Sequence, residues 1–406
     1  MQSSQEAIKA LALEAVLLPQ EELFPIGSKQ KQLFIGIPKE ISFQENRVAL
    51  VPSAVEVLVS QGHEVVVESN AGKNCKFSDK DYSEAGARIV YSPEEVYKAN
   101  LVIKVAPPTP DEIELLQEKQ TIISALQLSV QPKDSLKKMM QKRVSAVAWE
   151  FIKDEEGIYP AIRAMGEIAG NTAVLIAAEY LSNVNDGPGL MFGGVAGVSS
   201  TEVVIIGAGT VGEFATRAAL GLGASVRVFD NSIYRLRRLQ NDLGMRLNTS
   251  IIQPSVLEKA LSKADVAIGA LRAGMGRTPC VVTEAMVSKM KPGSVIVDIS
   301  IDQGGCFETS EITNHANPVI NKYGVIHYGV PNIASRVART ASFALSNIFT
   351  RIISQIGEEG GINNIIKHEP GFRHGVYIYN GSLTNEVLGE AFGIPYKNLD
   401  LILPAL

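Results

Sequence analysis

Residues 202–230, "EVVIIGAGTVGEFATRAALGLGASVRVFD", constrain the fold more than any other stretch of the chain. An apolar, β-branched run leads into Gly207, Gly209 and Gly212 at G-x-G-x-x-G spacing; an amphipathic segment follows, and a second apolar run ends in Asp230. Three spaced glycines alone are a weak signal. With a strand before them, a helix after them and an acid closing the next strand, each acquires a physical task. Gly207 makes the tight turn, Gly209 lets a pyrophosphate approach the backbone at a helix N-terminus, and Gly212 permits close helix–strand packing. Asp230 accepts hydrogen bonds from the adenosine ribose hydroxyls and repels a 2′-phosphate, which favours NAD over NADP. Arg235 and Arg237, just beyond it, are the opposing signal, since both could reach a phosphate. The bland alternative is a tight βα turn that binds nothing.

The same βα rhythm runs through the rest of the chain, the mark of parallel sheets. Strands are expected at 33–37, 64–69, 101–105, 121–126 and 144–149, with a helix opening at Ser53 as its N-cap. A long amphipathic helix is expected at 169–184, followed by a glycine-rich loop at 187–200, and a helix at 342–356 is read as returning to the first domain. A chain of 406 residues exceeds one typical domain. The expectation is two doubly wound Rossmann-like α/β domains with the nucleotide cleft between them. The substrate domain is discontinuous, 32–165 plus 340–406; 166–339 is the NAD-binding domain, and 1–31 is an extension.

Composition excludes several function classes. A net charge of −5 gives no basic footprint for nucleic acid. Three cysteines, Cys75, Cys280 and Cys306, form no CxxC pair and no zinc spacing, so no metal site and no disulfide framework is expected. The N-terminal stretch lacks a basic leader and is interrupted by Glu6 and Glu14, so it reads as a short amphipathic helix. No apolar run approaches the ~18–20 residues that span a bilayer. The chain is therefore expected in the cytoplasm.

Two segments outside the glycine loop carry candidate chemistry. In "PKEISFQENRVAL" (38–50), Arg47 follows the first strand, where a guanidinium fork suits a substrate carboxylate; the other reading is a surface arginine paired with Glu45. In "DISIDQGGCFE" (298–308), Asp298 and Asp302 lie at the end of a core strand, where a buried carboxylate needs a partner or a task. Parallel sheets bind ligands at this edge. Asp298, flanked by Val297 and Ile299, is read as structural.

From about Gln32 to its C-terminus the chain resembles the alanine dehydrogenases and the NAD-binding subunits of proton-translocating transhydrogenase. The resemblance rests on "GIPKE…ENRVAL", "EIAG", "GGVAGV", "VIIGAGTVG", "MKPGSVIVDISIDQGGCFE" and "HYGVPNIAS". It implies NAD in the inner cleft and a homo-oligomer. Asp302 and Asn332 match the dehydrogenase branch. By the same resemblance Asp302 faces the nicotinamide, Arg47 holds the substrate carboxylate, and Arg235, Leu271 and Ile299 belong to the cofactor side.

The family pattern breaks at two positions. The resemblance places a functional lysine where this chain has Ala106 and a catalytic histidine where it has Gln127. Glutamine forms hydrogen bonds but carries no proton, and losing a general acid/base costs ~10²–10⁴ in rate. Lys104 is retained two residues before Ala106, on the same strand face. Of the histidines (His63, His315, His327, His368, His374), His327 lies nearest the site in sequence, and a satisfied strand histidine is its ordinary reading. Arg272 and Arg277 occupy a loop that is mostly apolar and small in the dehydrogenases; they read as solvated, with a changed substrate or a phosphate as the alternative.

The leading function is hydride transfer between a small 2-amino acid, L-alanine going to pyruvate and ammonia, and NAD. The alternatives are a soluble NAD(H)-binding subunit that passes hydride to a transhydrogenase partner, and a non-catalytic NAD-binding relative.

Overall fold

The computed structural model describes residues 31–127, 132–273 and 276–403. Two open sheets organise them. The first takes β1 (Phe34–Ile37), β2 (Glu64–Glu68), β3 (Arg88–Val90), β4 (Leu101–Ile103), β5 (Thr121–Ser124) and β6 (Ser145–Ala148), all parallel. The second takes β7 (Glu202–Ile206), β8 (Ser225–Phe229), β9 (Asn248–Ser250), β10 (Val266–Gly269), β11 (Val295–Asp298), β12 (Val319–Lys322) and β13 (Val325–Tyr328). There only β12 runs antiparallel, at the edge. The chain then returns to the first sheet with β14 (Val376–Tyr379) and β15 (Ser382–Leu383), an antiparallel hairpin beside β6. The strand orders are β15-β14-β6-β5-β4-β1-β2-β3 and β12-β13-β11-β10-β7-β8-β9.

Each order reverses direction once, between β1 and β4 in the first sheet and between β7 and β10 in the second. Loops leaving neighbouring strands part there and open a crevice at the C-terminal ends. The residues singled out from sequence follow these strands. Arg47 comes after β1 and Ala106 after β4, while Gly207 comes after β7 and Leu271 after β10. β1 ends at its expected limit, and β2, β4, β5 and β6 end one or two residues before theirs.

Two long helices tie the sheets together. The helix Pro160–Leu181 begins nine residues before the sequence expectation, with proline at its first turn, where a missing N–H costs nothing. Its early residues Ala161, Ile162 and Met165 pack in the core of the first sheet; Ala169, Ala173, Ile176 and Leu181 pack in that of the second. Gly170 lets the helix Thr210–Gly221 approach closely, since a Cβ there would overlap the Val211 carbonyl. The helix Ala338–Glu358 buries Leu345, Phe349, Ile352 and Ile356 in the first core, as the returning helix was expected to. Ser53 is not a cap: that helix starts at Pro52, and its N-cap Val51, being apolar, makes no side-chain capping hydrogen bond. The expected N-terminal helix lies outside the described residues.

Among the described residues no helix is long and apolar enough to cross a membrane, and no group of His, Cys, Asp and Glu could hold a metal ion. All three cysteines are free thiols.

Candidate active site

The nucleotide loop is built from backbone. Gly207 has φ 115°, and a Cβ there would press on the Ala270 carbonyl at the exit of β10. A Cβ on Gly212 would overlap the Gly207 carbonyl oxygen, so only glycine lets the helix start this close to β7. Gly209 caps that helix, and a Cβ there would meet no atom within 4 Å. Open space therefore lies before free N–H groups at the positive end of a helix dipole, which fits a pyrophosphate.

Asp230 closes β8 and is buried. Its Oδ2 accepts from the Ala208 N–H at 2.8 Å and its Oδ1 from the Ser232 N–H at 2.7 Å. The acid thus braces the glycine loop as well as offering its remaining lone pairs, a role the sequence did not disclose. Arg235 stands 3.8 Å from Asp230 with its side chain largely in solvent, and Arg237 is exposed. The arginine that reaches the loop is Arg238, three residues after Arg235 on the helix Ile233–Leu243, where Nη2 lies 3.4 Å from the Ala208 carbonyl. Leu271 and Ile299 are half-buried at the exits of β10 and β11, joined through the bond from Ser300 Oγ to the Leu271 carbonyl at 2.8 Å.

Asp298 and Asp302 separate cleanly. Asp298 is buried at the end of β11 and accepts from the N–H groups of Ser300, Cys306 and Phe307. Burial pushes its carboxyl above the usual range, against those hydrogen bonds. It shapes the 3₁₀ turn Ile299–Gln303 on which Asp302 rides. Asp302 is open to solvent, yet enough protein flanks it to raise its carboxyl above the ordinary value. The Asn332 N–H and the charges of Arg47 and Arg272 oppose that rise.

Asp302 is the first member of a chain of contacts joining the two sheets. Its Oδ1 accepts from the Asn332 N–H at 2.8 Å. Asn332, in the left-handed region at φ 56°, donates from Nδ2 to Glu45 Oε2 at 2.9 Å. Glu45 in turn grips Arg47 as a fork, through Nε at 2.7 Å and Nη2 at 2.6 Å. Arg47 pairs with Glu45, as one of its readings had it, but it is buried rather than on the surface. Burial alone would raise the Glu45 carboxyl; Arg47 and Asn332 hold it below the usual range. Glu45 and Asn332 lie 287 residues apart in sequence, so neither pointed to the other.

The edge left by β4, β5 and β6 is different in kind. Ala106 is buried. Gln127 is exposed, at φ 43°. Glu150 holds this edge in place: its Oε1 accepts from the N–H groups of Leu126 at 2.8 Å and Gln127 at 3.1 Å. Its Oε2 is buried without a hydrogen-bond partner among the described residues, and burial raises its carboxyl. Glu150 carried no signal in the sequence beyond its place at a strand end.

Lys104 does not substitute at Ala106. It is fully buried, its Nζ lying 2.5 Å from Glu112 and 3.2 Å from Glu40. Burial lifts the Glu40 carboxyl to about 7, partly offset by Lys104. His327 is a satisfied strand histidine, bonded to Thr309 Oγ1 at 2.8 Å and the Val325 carbonyl at 2.9 Å. His315 comes nearest the contact chain, donating its backbone N–H to Gln44 Oε1 at 3.2 Å. Arg277 is exposed over the Gly304 carbonyl.

A groove of about 770 Å³ lined by Lys31, Lys98, Lys119 and Arg143 opens at the N-terminal ends of β4, β5 and β6. That is the wrong edge for ligand chemistry in parallel sheets, and the crevice at the opposite edge is the candidate site.

Profiles described as "Alanine dehydrogenase/PNT, N-terminal domain" and "Alanine dehydrogenase/PNT, C-terminal domain" match residues 36–169 and 173–386. The chain is 39% identical over 366 residues to an alanine dehydrogenase of Methanococcus maripaludis, covering 90% of this chain and 98% of that one. It is 38% identical over 365 residues to that of Bacillus subtilis, covering 90% and 96%. A solved L-alanine dehydrogenase superposes with TM-score 0.83 at 35% identity, over 88% of this chain and 99% of that one. A transhydrogenase from Sinorhizobium meliloti superposes with TM-score 0.74 at 24% identity, over 87% and 99%, a likeness of fold.

Proposed function

Because the chain belongs to the alanine dehydrogenase/PNT family, we propose that it is an NAD-dependent amino-acid dehydrogenase, with L-alanine and its 2-oxo acid pyruvate as the first substrates to test. The observation that carries this reading is the contact chain Asp302–Asn332–Glu45–Arg47, which sets a cleft carboxylate against a guanidinium from the other sheet. Residues 32–165 and 340–406 form the substrate lobe in this reading, and 166–339 the nucleotide lobe.

NAD, when bound, supplies the hydride acceptor. Gly207, Gly209 and Gly212 shape the pyrophosphate cradle, and Asp230 takes the ribose hydroxyls with the lone pairs its backbone contacts leave free. Leu271, Ile299 and Arg235 flank the cofactor. Two of Arg47's five N–H groups are spent on Glu45, and the guanidinium retains others for the substrate carboxylate. Asp302, fixed by Asn332, orients first the amine and then the water that attacks the 2-imino acid. The charge of Arg47 behind Glu45 opposes the rise that burial imposes on that acid. Gln127 faces solvent at the histidine position and supplies a hydrogen bond but no proton, so proton transfer passes through water. The resulting turnover is expected ~10²–10⁴ below that of a histidine-bearing relative.

The test is NADH formation by the purified protein with NAD and a panel of small 2-amino acids, with NAD binding measured in parallel. Arg47→Ala is expected to raise KM at least tenfold or abolish turnover while leaving NAD binding intact; an equal fall in NAD binding would remove Arg47 from the substrate site. NAD binding without turnover on the whole panel would shift the reading to a hydride-passing subunit.

A further inference from the structure

Arg272 stands on the loop leaving β10, and both of its chain neighbours are tied to the turn that carries Asp302. Ser300 Oγ donates to the Leu271 carbonyl at 2.8 Å, and the Ala273 N–H donates to Gln303 Oε1 at 3.1 Å. Residues 271 and 273 are thereby stitched to residues 300 and 303, which bracket Asp302. This places Arg272 at the edge of the crevice where Asp302 lies. Its charge acts on Asp302 from one sheet and on Glu150 from the other, lowering in each case a carboxyl that burial raises.

The charges of the cleft show why this matters. Arg47 is neutralised by Glu45, and Lys104 is shared between Glu40 and Glu112. Ala106 contributes no charge, and Asp302 and Glu150 are both acidic. A substrate carboxylate entering such a site without another cation would stand among acidic side chains with Arg47 already paired, and an anion left uncompensated in a partly dry cleft is costly. Arg272 is exposed, and among the described residues it takes part in no ion pair.

We propose that Arg272 binds the carboxylate of the 2-amino or 2-oxo acid substrate, sharing it with Arg47 and supplying from the nucleotide side the cation absent at Ala106. The proposal rests on the dehydrogenase reading for its substrate class. A planar guanidinium on an accessible loop suits a carboxylate that must enter and leave, since it stays charged at every working pH. The site would accept 2-oxo acids in their carboxylate form and reject their amides.

The experiment compares wild type, Arg272→Leu and Arg272→Lys. The expected result for Arg272→Leu is a KM for L-alanine and for pyruvate at least tenfold higher, with a smaller change in kcat. NADH affinity should stay within twofold and the melting temperature should be unchanged, and Arg272→Lys should recover part of the loss. An unchanged KM would overturn the proposal, as would a parallel loss of NADH affinity, which would make Arg272 a cofactor contact. If the wild type turns over no amino acid, the dehydrogenase reading fails separately, and pyruvate binding to the NADH-loaded protein by calorimetry decides for Arg272. Binding by wild type that Arg272→Leu weakens tenfold upholds the proposal; equal binding, or none to wild type, overturns it.

Discussion

The exits of β7 and β4 answer the same topological requirement in opposite ways. Both lie beside the point where their sheet reverses strand order. At β7 the site is made of backbone: a glycine at φ 115°, a glycine against a carbonyl, and a glycine before open space. At the exits of β4 and its neighbour β5 the crevice edge presents side chains instead, with Ala106 buried and Gln127 in solvent. Backbone sites tolerate little change because the conformation itself is the function. Side-chain sites can be rebuilt from another loop, the part proposed for Arg272.

Breaking the backbone side should have the largest effect. Gly212→Val drives a branched side chain into the Gly207 carbonyl, so NAD affinity is expected to fall at least ~100-fold together with the melting temperature, read by titration and by calorimetry. Gly209→Ala separates ligand space from folding space. Its Cβ meets nothing, so the melting temperature should hold while NAD affinity drops about tenfold or more. Retained affinity would mean that the cradle is not where the pyrophosphate sits.

On the side-chain edge, Asp302→Ala is expected to lower kcat by ~10²–10⁴ with NADH binding within a fewfold of wild type. The acid limb of the wild-type kcat/KM profile should lie above the ordinary aspartate pKa of 3.8, because the cleft raises Asp302, and Asp302→Asn should remove that limb. A smaller gain should come from Gln127→His. At φ 43° the position tolerates histidine better than most residues, and a restored proton carrier should raise kcat roughly tenfold to a hundredfold. No gain would show that Gln127 does not face the reacting atoms.

The contrast also sets what the sequence could reveal. The strand–glycine–helix–acid pattern is local, spread over 29 residues, and each element constrains the next, so the nucleotide loop was legible down to single glycines. The contact chain through Glu45 was not, since Asn332 and Glu45 meet only after the fold brings two loops together. Arg238 was passed over for Arg235 and Arg237 because the choice depends on which face of the helix Ile233–Leu243 meets the glycine loop. The early start of the helix Pro160–Leu181 was hidden because its first half and second half serve different cores, which blurs a single hydrophobic stripe.

The smallest expected effect concerns stability. The Glu40 carboxyl titrates at about 7 in the fold against 4.5 when free, so the native state holds the extra proton between those values. Its stabilising share is full below pH 4.5 and is lost as the pH rises through 7, leaving Lys104 facing two carboxylates. Glu40→Gln should flatten the denaturant midpoint across that window, and a midpoint that still falls would place the titration elsewhere.

In the proposed reaction hydride leaves the α-carbon of an amino acid held between the two lobes. The direct measurement is a single turnover with L-alanine deuterated at Cα and NAD, followed by mass analysis of the reduced cofactor. Deuterium in the nicotinamide ring is the predicted result. Reduced cofactor without deuterium, or none formed while NAD is bound, would contradict it.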